Sequence, residues 1–375
     1  MKIAVNTRLL LQGKLEGIGW FSYESLKRIT RQHKDYEFVF IFDRPWSDEF
    51  IFSDNITPVV THPQARHPYL WYLYFEWGVP HILKKHKPDL FLSPDGWLSL
   101  RTKTPSLPVI HDLNFEHYPE FIPKTVRNYY HKYFPKFARK AKRIATVSEF
   151  TKKDITSRYN IDSDNIDVVY NGANEEFAPT SETEQQETRK KYTNACPYFL
   201  FVGLIHPRKN LGRLIEAFTL FKQKNNTDVK LLVVGDRKWW TEETRLAYEN
   251  SAFKDEIIFL GRVGSDELKK IIPAALAMTY ISIFEGFGIP IIEAMYCDTP
   301  VITSNLTSMP EVGEDAVVYV DPFSVDSISD ALQKVHKDDN LRNELIEKGR
   351  LQCKKFSWQK TADNLWNSIE KSLQP

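Results

Sequence analysis

The sequence predicts an α/β protein of two doubly wound units with a cleft between them, and three observations predict it. Short apolar runs alternate with amphipathic stretches along the chain. At 375 residues the chain exceeds one ordinary core. A polar segment, residues 180–188, breaks the alternation midway, and the pattern restarts at Tyr198.

Lys2–Asn6 and Glu37–Phe42 read as strands, with a helix over residues 20–30 between them. Residues 89–93, 107–110 and 143–147 are short apolar runs bounded by polar residues or proline, as buried parallel strands are. Residues 73–86 and 125–141 have the length and spacing of helices. Segment 180–188 is the expected linker. Beyond it, residues 198–203 read as a strand, followed by a helix with Leu211, Leu214, Ile215, Phe218 and Phe221 on one face. Further strands are expected over residues 229–234, 256–260, 277–281, 300–303 and 316–320. The expected division is 1–180, 181–357 and a final helix over 358–375. In such sheets ligands sit beyond the carboxyl ends of the strands.

Composition narrows the function. Hydrophobic residues at 42% and charged residues at 26% describe a folded chain. A net charge of +1 argues against a dedicated nucleic-acid binder. Residues 1–180 carry 25 Lys and Arg against 21 Asp and Glu, whereas residues 181–375 carry 25 against 28. Cys196, Cys297 and Cys353 are widely spaced and odd in number, which fits a reducing cytoplasm and no disulfide framework. No stretch reaches the roughly 18 apolar residues of a membrane span, so any membrane contact is expected to be peripheral.

Chemistry concentrates in Phe284-Glu-Gly-Phe-Gly-Ile-Pro-Ile-Ile-Glu293. Gly286 and Gly288 let the backbone turn tightly and approach a ligand. Pro290 fits the first turn of a helix, where a missing donor costs nothing. A strand, a glycine turn and a helix N-terminus make an anion site. The carboxylates of Glu285 and Glu293 instead suit hydroxyls, and a phosphorylated ligand rich in hydroxyls is a nucleotide sugar. Gly203-Leu-Ile-His-Pro-Arg-Lys-Asn210 sets Arg208 and Lys209 after a strand, where they suit a diphosphate leaving group or form a solvated basic turn. Gly17 and Gly19 lie in a loop leading into a helix, a pattern that purely structural turns share. His111 closes a strand and suits a hydroxyl, although a lone histidine is commonly structural. Ser148 reads as a helix cap and Asn171-Gly172 as a turn. Asp162-Ser-Asp164 has the spacing of a metal-binding pair but reads as a polar turn.

These residues resemble the retaining glycosyltransferases of the GT-B fold, the large group 1 family. The likeness rests on Glu285-Gly-Phe-Gly with Glu293 eight residues on, Arg208-Lys209-Asn210, Gly17 and Gly19, and Val301-Ile-Thr-Ser-Asn305 with Pro310-Glu311. It covers nearly the whole chain and is most specific over residues 198–321. The resemblance implies that Glu285 and the backbone of Gly286, Phe287, Gly288 and Ile289 grip the donor sugar. Glu293 would hold the ribose, and Arg208 and Lys209, beside Gly203, would hold the diphosphate. Gly17 and Gly19 would approach the diphosphate from the other domain, with His111 near the sugar and acceptor. Arg262 and Val263 would meet the base, and Ser304-Asn305 would line the pocket. It further implies transfer with retention, no metal, and no cofactor besides the nucleotide sugar as substrate. The final helix would cross back onto the first domain.

Residues 205–211 look most like mannosyltransferases using GDP-mannose in cell-surface polysaccharide synthesis. UDP-glucose and similar donors fit the same motif, and a non-catalytic sugar-nucleotide-binding relative is the different-class alternative. The acceptor is expected to be a saccharide or a lipid-linked saccharide. Residues 121–143 hold eight Lys or Arg, no Asp or Glu, and five aromatics after Phe121. Trp71, Tyr72, Tyr74 and Trp77 with Lys84, Lys85 and Lys87 form a second such region. Both could rest on the cytoplasmic face of the inner membrane, or pack aromatic faces into a core with solvated outer faces.

Overall fold

A computed structural model of the protein describes residues 1–236 and 240–374. The chain divides into two compact units, Met1–Gly172 joined by the segment from Trp358 onward, and Ala173–Ser357.

In the first unit seven parallel strands form one sheet: β1 (Lys2–Asn6), β2 (Glu37–Phe42), β3 (Ile56–Val60), β4 (Leu90–Ser93), β5 (Ser106–Ile110), β6 (Ile144–Thr146) and β7 (Ile166–Val168). Their order is β3-β2-β1-β4-β5-β6-β7. The second unit holds β8 (Tyr198–Val202), β9 (Lys230–Val234), β10 (Ile257–Gly261), β11 (Ala277–Tyr280), β12 (Val301–Ser304) and β13 (Val318–Val320) in the order β10-β9-β8-β11-β12-β13. Each sheet reverses direction beside its first strand, between β1 and β4 and between β8 and β11. A crevice opens at such a reversal beyond the carboxyl ends.

The central strands are apolar because helices cover both faces. Phe91 and Leu92 of β4, and Phe199 and Leu200 of β8, are fully buried. The helix Leu211–Lys224 turns Leu214, Ile215, Phe218 and Phe221 onto the second sheet, all fully buried. Burying each such side chain stabilises by about 1.5–3 kcal/mol. The final helix, Trp358–Leu373, packs on the helix Gly17–Gln32 within the first unit. Trp366 stacks on His33 with ring centroids 3.5 Å apart, and Thr361 Oγ1 donates to the Tyr170 carbonyl at 2.7 Å.

Local chemistry explains most boundaries. Ser148 caps the helix Glu149–Tyr159 by accepting from Thr151 N at 3.1 Å. Asp162-Ser-Asp164 is a short turn in which Asp162 accepts from Asp164 N. Two elements differ from the sequence reading. The expected linker over 180–188 is mostly helix, Glu182–Thr193, started by a capping box in which Ser181 and Glu184 exchange hydrogen bonds. The Ser-x-x-Glu signal was present, but the polar composition of the segment hid it. Strand β3 has no counterpart among the expected strands; it carries Pro58 and lies at the edge of the sheet, where a missing donor is tolerated.

Candidate active site

At the reversal point of the second sheet, two loops are laced together. After β8, the turn Pro207–Lys209 leads into the helix Leu211–Lys224 through Asn210, whose backbone is left-handed at φ 61°. Asn210 Nδ2 donates to the Ile281 carbonyl at 3.3 Å and to the Pro322 carbonyl at 2.7 Å. Ile283 N donates to the Arg208 carbonyl at 2.9 Å, and Arg208 Nη1 donates to the Phe284 carbonyl at 2.8 Å. The turn carrying the two cations is thereby fixed against the loop that follows β11.

The lacing brings Arg208, Lys209 and Glu285 together. Lys209 Nζ lies 2.6 Å from Glu285 Oε1, and Arg208 Nη1 pairs with Glu285 Oε2. Burial alone would raise the Glu285 pKa, but the charges of Arg208 and Lys209 outweigh it and hold the carboxyl at about 2. The magnitudes agree: removing a carboxylate from water costs several kcal/mol. Each cation at ion-pair range returns about 4 kcal/mol at a dielectric near 20. Glu285 is therefore a fixed anion between two fixed cations.

The sequence reading missed the residues that hold this trio. Tyr280, the last residue of β11, accepts from Lys209 Nζ at 2.8 Å through its hydroxyl. Its burial and the nearby Glu285 charge push its pKa well up, so the phenol stays neutral. Glu285 N donates to Thr307 Oγ1 at 3.2 Å, and Ser308 Oγ donates to the carbonyls of Glu285 and Phe287 at 3.0 and 2.9 Å. A polar tip closing an apolar strand was the available signal for Tyr280; for Thr307 and Ser308 there was none. Ser304 is fully buried and its hydroxyl donates to the Ser282 carbonyl at 2.7 Å, a structural bond.

The glycine turn follows directly. Gly288, at φ 113°, caps the helix Ile289–Tyr296, with Pro290 in its first turn. Glu293 stands in that helix, and among the described residues no donor is hydrogen-bonded to its carboxylate. Burial alone therefore raises its pKa to about 7. The two glutamates of the motif thus have opposite electrostatics. Gly203, at φ 149°, sits where a Cβ would touch the Lys209 side chain. Arg262 and Val263 follow β10, the far edge strand of this sheet, with Arg262 exposed.

The remaining predicted residues lie in the first unit. Gly17 opens the helix Gly17–Gln32, and a Cβ there would meet nothing within 4 Å. At Gly19 a Cβ would lie 3.1 Å from the Leu9 carbonyl oxygen, so close packing accounts for that glycine. His111 is in edge contact with Phe21 of the same helix, centroids 4.9 Å apart. Its Nε2 is 2.8 Å from the Pro94 carbonyl. A carbonyl only accepts, so Nε2 carries the proton and Nδ1 is left as an acceptor. Burial lowers the His111 pKa, favouring this neutral form. At the reversal point of this sheet, Asn6 and Arg8 both bond Asp95, at 2.8 and 2.5 Å, tying the ends of β1 and β4.

Comparison with known proteins identifies the family. The profile described as "Glycosyl transferases group 1" matches residues 182–352, and that described as "Glycosyltransferase Family 4" matches residues 17–177. O-antigen chain mannosyltransferase B of Escherichia coli is 32% identical over 289 residues, 77% of this chain and 76% of that protein. O-antigen chain mannosyltransferase RfbU of Salmonella typhimurium is 31% identical over 76% of this chain and 75% of its own. Among solved structures, Anabaena HepE in complex with UDP and glucose superposes with a TM-score of 0.76 at 16% identity, covering 99% of this chain and 100% of its own. WaaG, a glycosyltransferase involved in lipopolysaccharide biosynthesis, gives 0.74 at 15% identity over 97% and 98%. Two Rossmann-like units with the GT-B topology, and relatives above 30% identity across three quarters of their length, place this chain in the group 1 family of GT-B glycosyltransferases.

Proposed function

We propose that this enzyme moves a mannosyl group from GDP-mannose to a saccharide or lipid-linked saccharide in cell-surface polysaccharide synthesis. It would do so with retention at the anomeric carbon and without a metal. The observation that carries the reading is the Glu285 carboxylate held between Arg208 and Lys209 at the reversal point of the second sheet. The mannosyl donor is supported by the two O-antigen chain mannosyltransferases at 32% and 31% identity.

In this scheme Arg208 and Lys209 neutralise the diphosphate as its charge grows with cleavage of the glycosidic bond. Glu285, ionised throughout the neutral range, accepts from donor-sugar hydroxyls, and the backbone amides of Gly286, Phe287 and Gly288 lie beside it. Ionised Glu293 accepts from the ribose hydroxyls, and Arg262 and Val263 border the base. The leaving phosphate takes the acceptor's proton, so no side chain acts as nucleophile. His111 Nδ1 serves as acceptor for a sugar hydroxyl. Gly17 leaves room for close approach of the ligand.

A thermal-shift screen across GDP-, UDP- and ADP-sugars tests the donor, since a ligand of the folded state raises its apparent stability. GDP-mannose is expected to give the largest shift. A larger shift with UDP-glucose would reassign the donor.

A further inference from the structure

We propose that Arg8, Asp112 and Tyr130 form the subsite in the first unit that takes an uncharged sugar of the acceptor; this rests on the reading of a saccharide acceptor and deepens it. Arg8 follows β1 by two residues and Asp95 follows β4 by two, so both stand at the reversal point of the first sheet. Arg8 is 9% exposed, yet only its Nε is hydrogen-bonded, to Asp95 Oδ2 at 2.5 Å. Among the described residues no acceptor is hydrogen-bonded to Nη1 or Nη2. A tie between two strands therefore uses one of the five N–H groups and leaves four. Buried donors are ordinarily satisfied, so a guanidinium fork this sheltered and without partners points to a ligand. The fork is held ready: the rings of Trp97 and Phe75 lie 4.4 and 5.6 Å from its central carbon. Burial alone would lower the Arg8 pKa, but Asp95 outweighs it and the group stays charged.

Two further polar groups beside the fork are unspent. Tyr130, half-buried on the helix Lys124–Lys140, stands edge-on to Trp97 with ring centroids 5.5 Å apart. Among the described residues its hydroxyl makes no hydrogen bond. Burial pushes its pKa up to about 12 against the opposing charge of Arg8, with Asp95 and Asp112 acting in the same direction as burial. The phenol is therefore neutral and can donate. Asp112 is half-buried two residues beyond β5, and its Oδ1 accepts from Asn114 N at 3.0 Å. Among the described residues its Oδ2 has no hydrogen bond and the carboxylate no ion pair.

Charge identifies the occupant. The Arg8 charge is matched by Asp95, which also accepts from Asn6 Nδ2, Ser93 Oγ and Trp97 N at 2.8, 3.0 and 3.3 Å. What remains unmatched is the Asp112 carboxylate, which repels an acidic sugar. Hydroxyls of a neutral sugar suit the set, because each can donate to Asp112 Oδ2 and accept from Arg8 or Tyr130.

The test uses the full chain and a panel of methyl glycosides, neutral (mannoside, galactoside, N-acetylglucosaminide) and acidic (glucuronide, mannoside 6-phosphate). Transfer from GDP-mannose gives the KM of each, and saturation-transfer NMR reads their binding without turnover. The best acceptor is expected to be neutral. Arg8→Lys keeps a cation for Asp95 but loses the fork. The KM for that acceptor should rise about 10–100-fold, with the melting temperature and the KM for GDP-mannose near wild type. Tyr130→Phe should raise the acceptor KM about fivefold. Asp112→Asn should narrow the gap between neutral and acidic glycosides. A residue that only ties β1 to β4 would change the melting temperature and leave the acceptor KM unmoved. If Arg8→Lys does not fold, Tyr130→Phe decides. An acceptor KM and NMR signals unchanged in these variants would overturn the subsite, as would an acidic glycoside binding best or no neutral glycoside binding at all. A neutral glycoside that binds the wild type and is lost in the variants, with no transfer from any nucleotide sugar, would keep the subsite and overturn the proposed transfer.

Discussion

Lys209 Nζ and Glu285 Oε1 are 2.6 Å apart although 76 residues separate them in sequence, and Tyr280 bonds the same ammonium at 2.8 Å. The cation expected to meet a phosphate and the carboxylate expected to meet a sugar are thus one preassembled unit. Each holds the other in place before any ligand arrives, which removes reorganisation from the reacting step.

Glu285→Gln keeps the side-chain shape but removes the charge that Arg208 and Lys209 surround. Transfer should fall by about 10²–10³-fold, with the circular dichroism spectrum retained. A steady-state rate within a factor of about two of wild type would remove Glu285 from the site's chemistry.

Tyr280→Phe deletes one hydroxyl and leaves the ring. The lost bond to Lys209 is worth about 1 kcal/mol, so the melting temperature should shift by only a few degrees. Because Lys209 loses its second anchor, the KM for nucleotide sugar should rise by at most about fivefold, with kcat less affected. No further loss on adding Tyr280→Phe to Lys209→Met would show that the hydroxyl acts through the ammonium.

Glu293 should make stability depend on pH. Its folded pKa, about 7, lies above the ordinary value of 4.5 because burial disfavours the anion. Between these values the folded state keeps a proton that the unfolded chain has released, so stability falls as pH rises through this window and levels off above about 7. Urea unfolding across the window should show this decline in the wild type and lose it in Glu293→Gln. If ribose hydroxyls donate to Glu293, nucleotide binding near pH 6–7 should release protons. Calorimetry in buffers of different ionisation enthalpy measures that release.

Two glycines should separate structure from ligand approach. A Cβ on Gly235 would fall 1.8 Å from the Gly203 carbonyl oxygen, so Gly235→Ala must push apart the ends of β8 and β9 and should lower the melting temperature sharply. Gly17→Ala meets nothing within 4 Å and should melt like wild type. Weaker donor binding in Gly17→Ala would then report crowding of the ligand itself.

Local pattern made much of this protein legible. Apolar runs bounded by polar residues located the central strands, because strands buried on both faces have no use for polar side chains. The cap at Ser148 and the turn ending at Gly288 were readable since a hydrogen bond or a backbone angle within a few residues decides them. The Ser181–Glu184 capping box was equally local and was overlooked under a polar composition, while β3 was tolerated despite Pro58 only because it lies at an edge.

The chain's own order of residues thus determined the alternating architecture, the family motif and the residue types available to the site. Only the tertiary structure decided which charges meet. Glu285 and Glu293 are the same residue type eight positions apart, yet one is held at about 2 and the other near 7. The difference is that two cations delivered by a distant turn surround the first, while the second is half-buried and, among the described residues, makes no ion pair. Desolvation and Coulomb attraction depend on what folding brings within a few ångströms, and spacing along the sequence does not encode it.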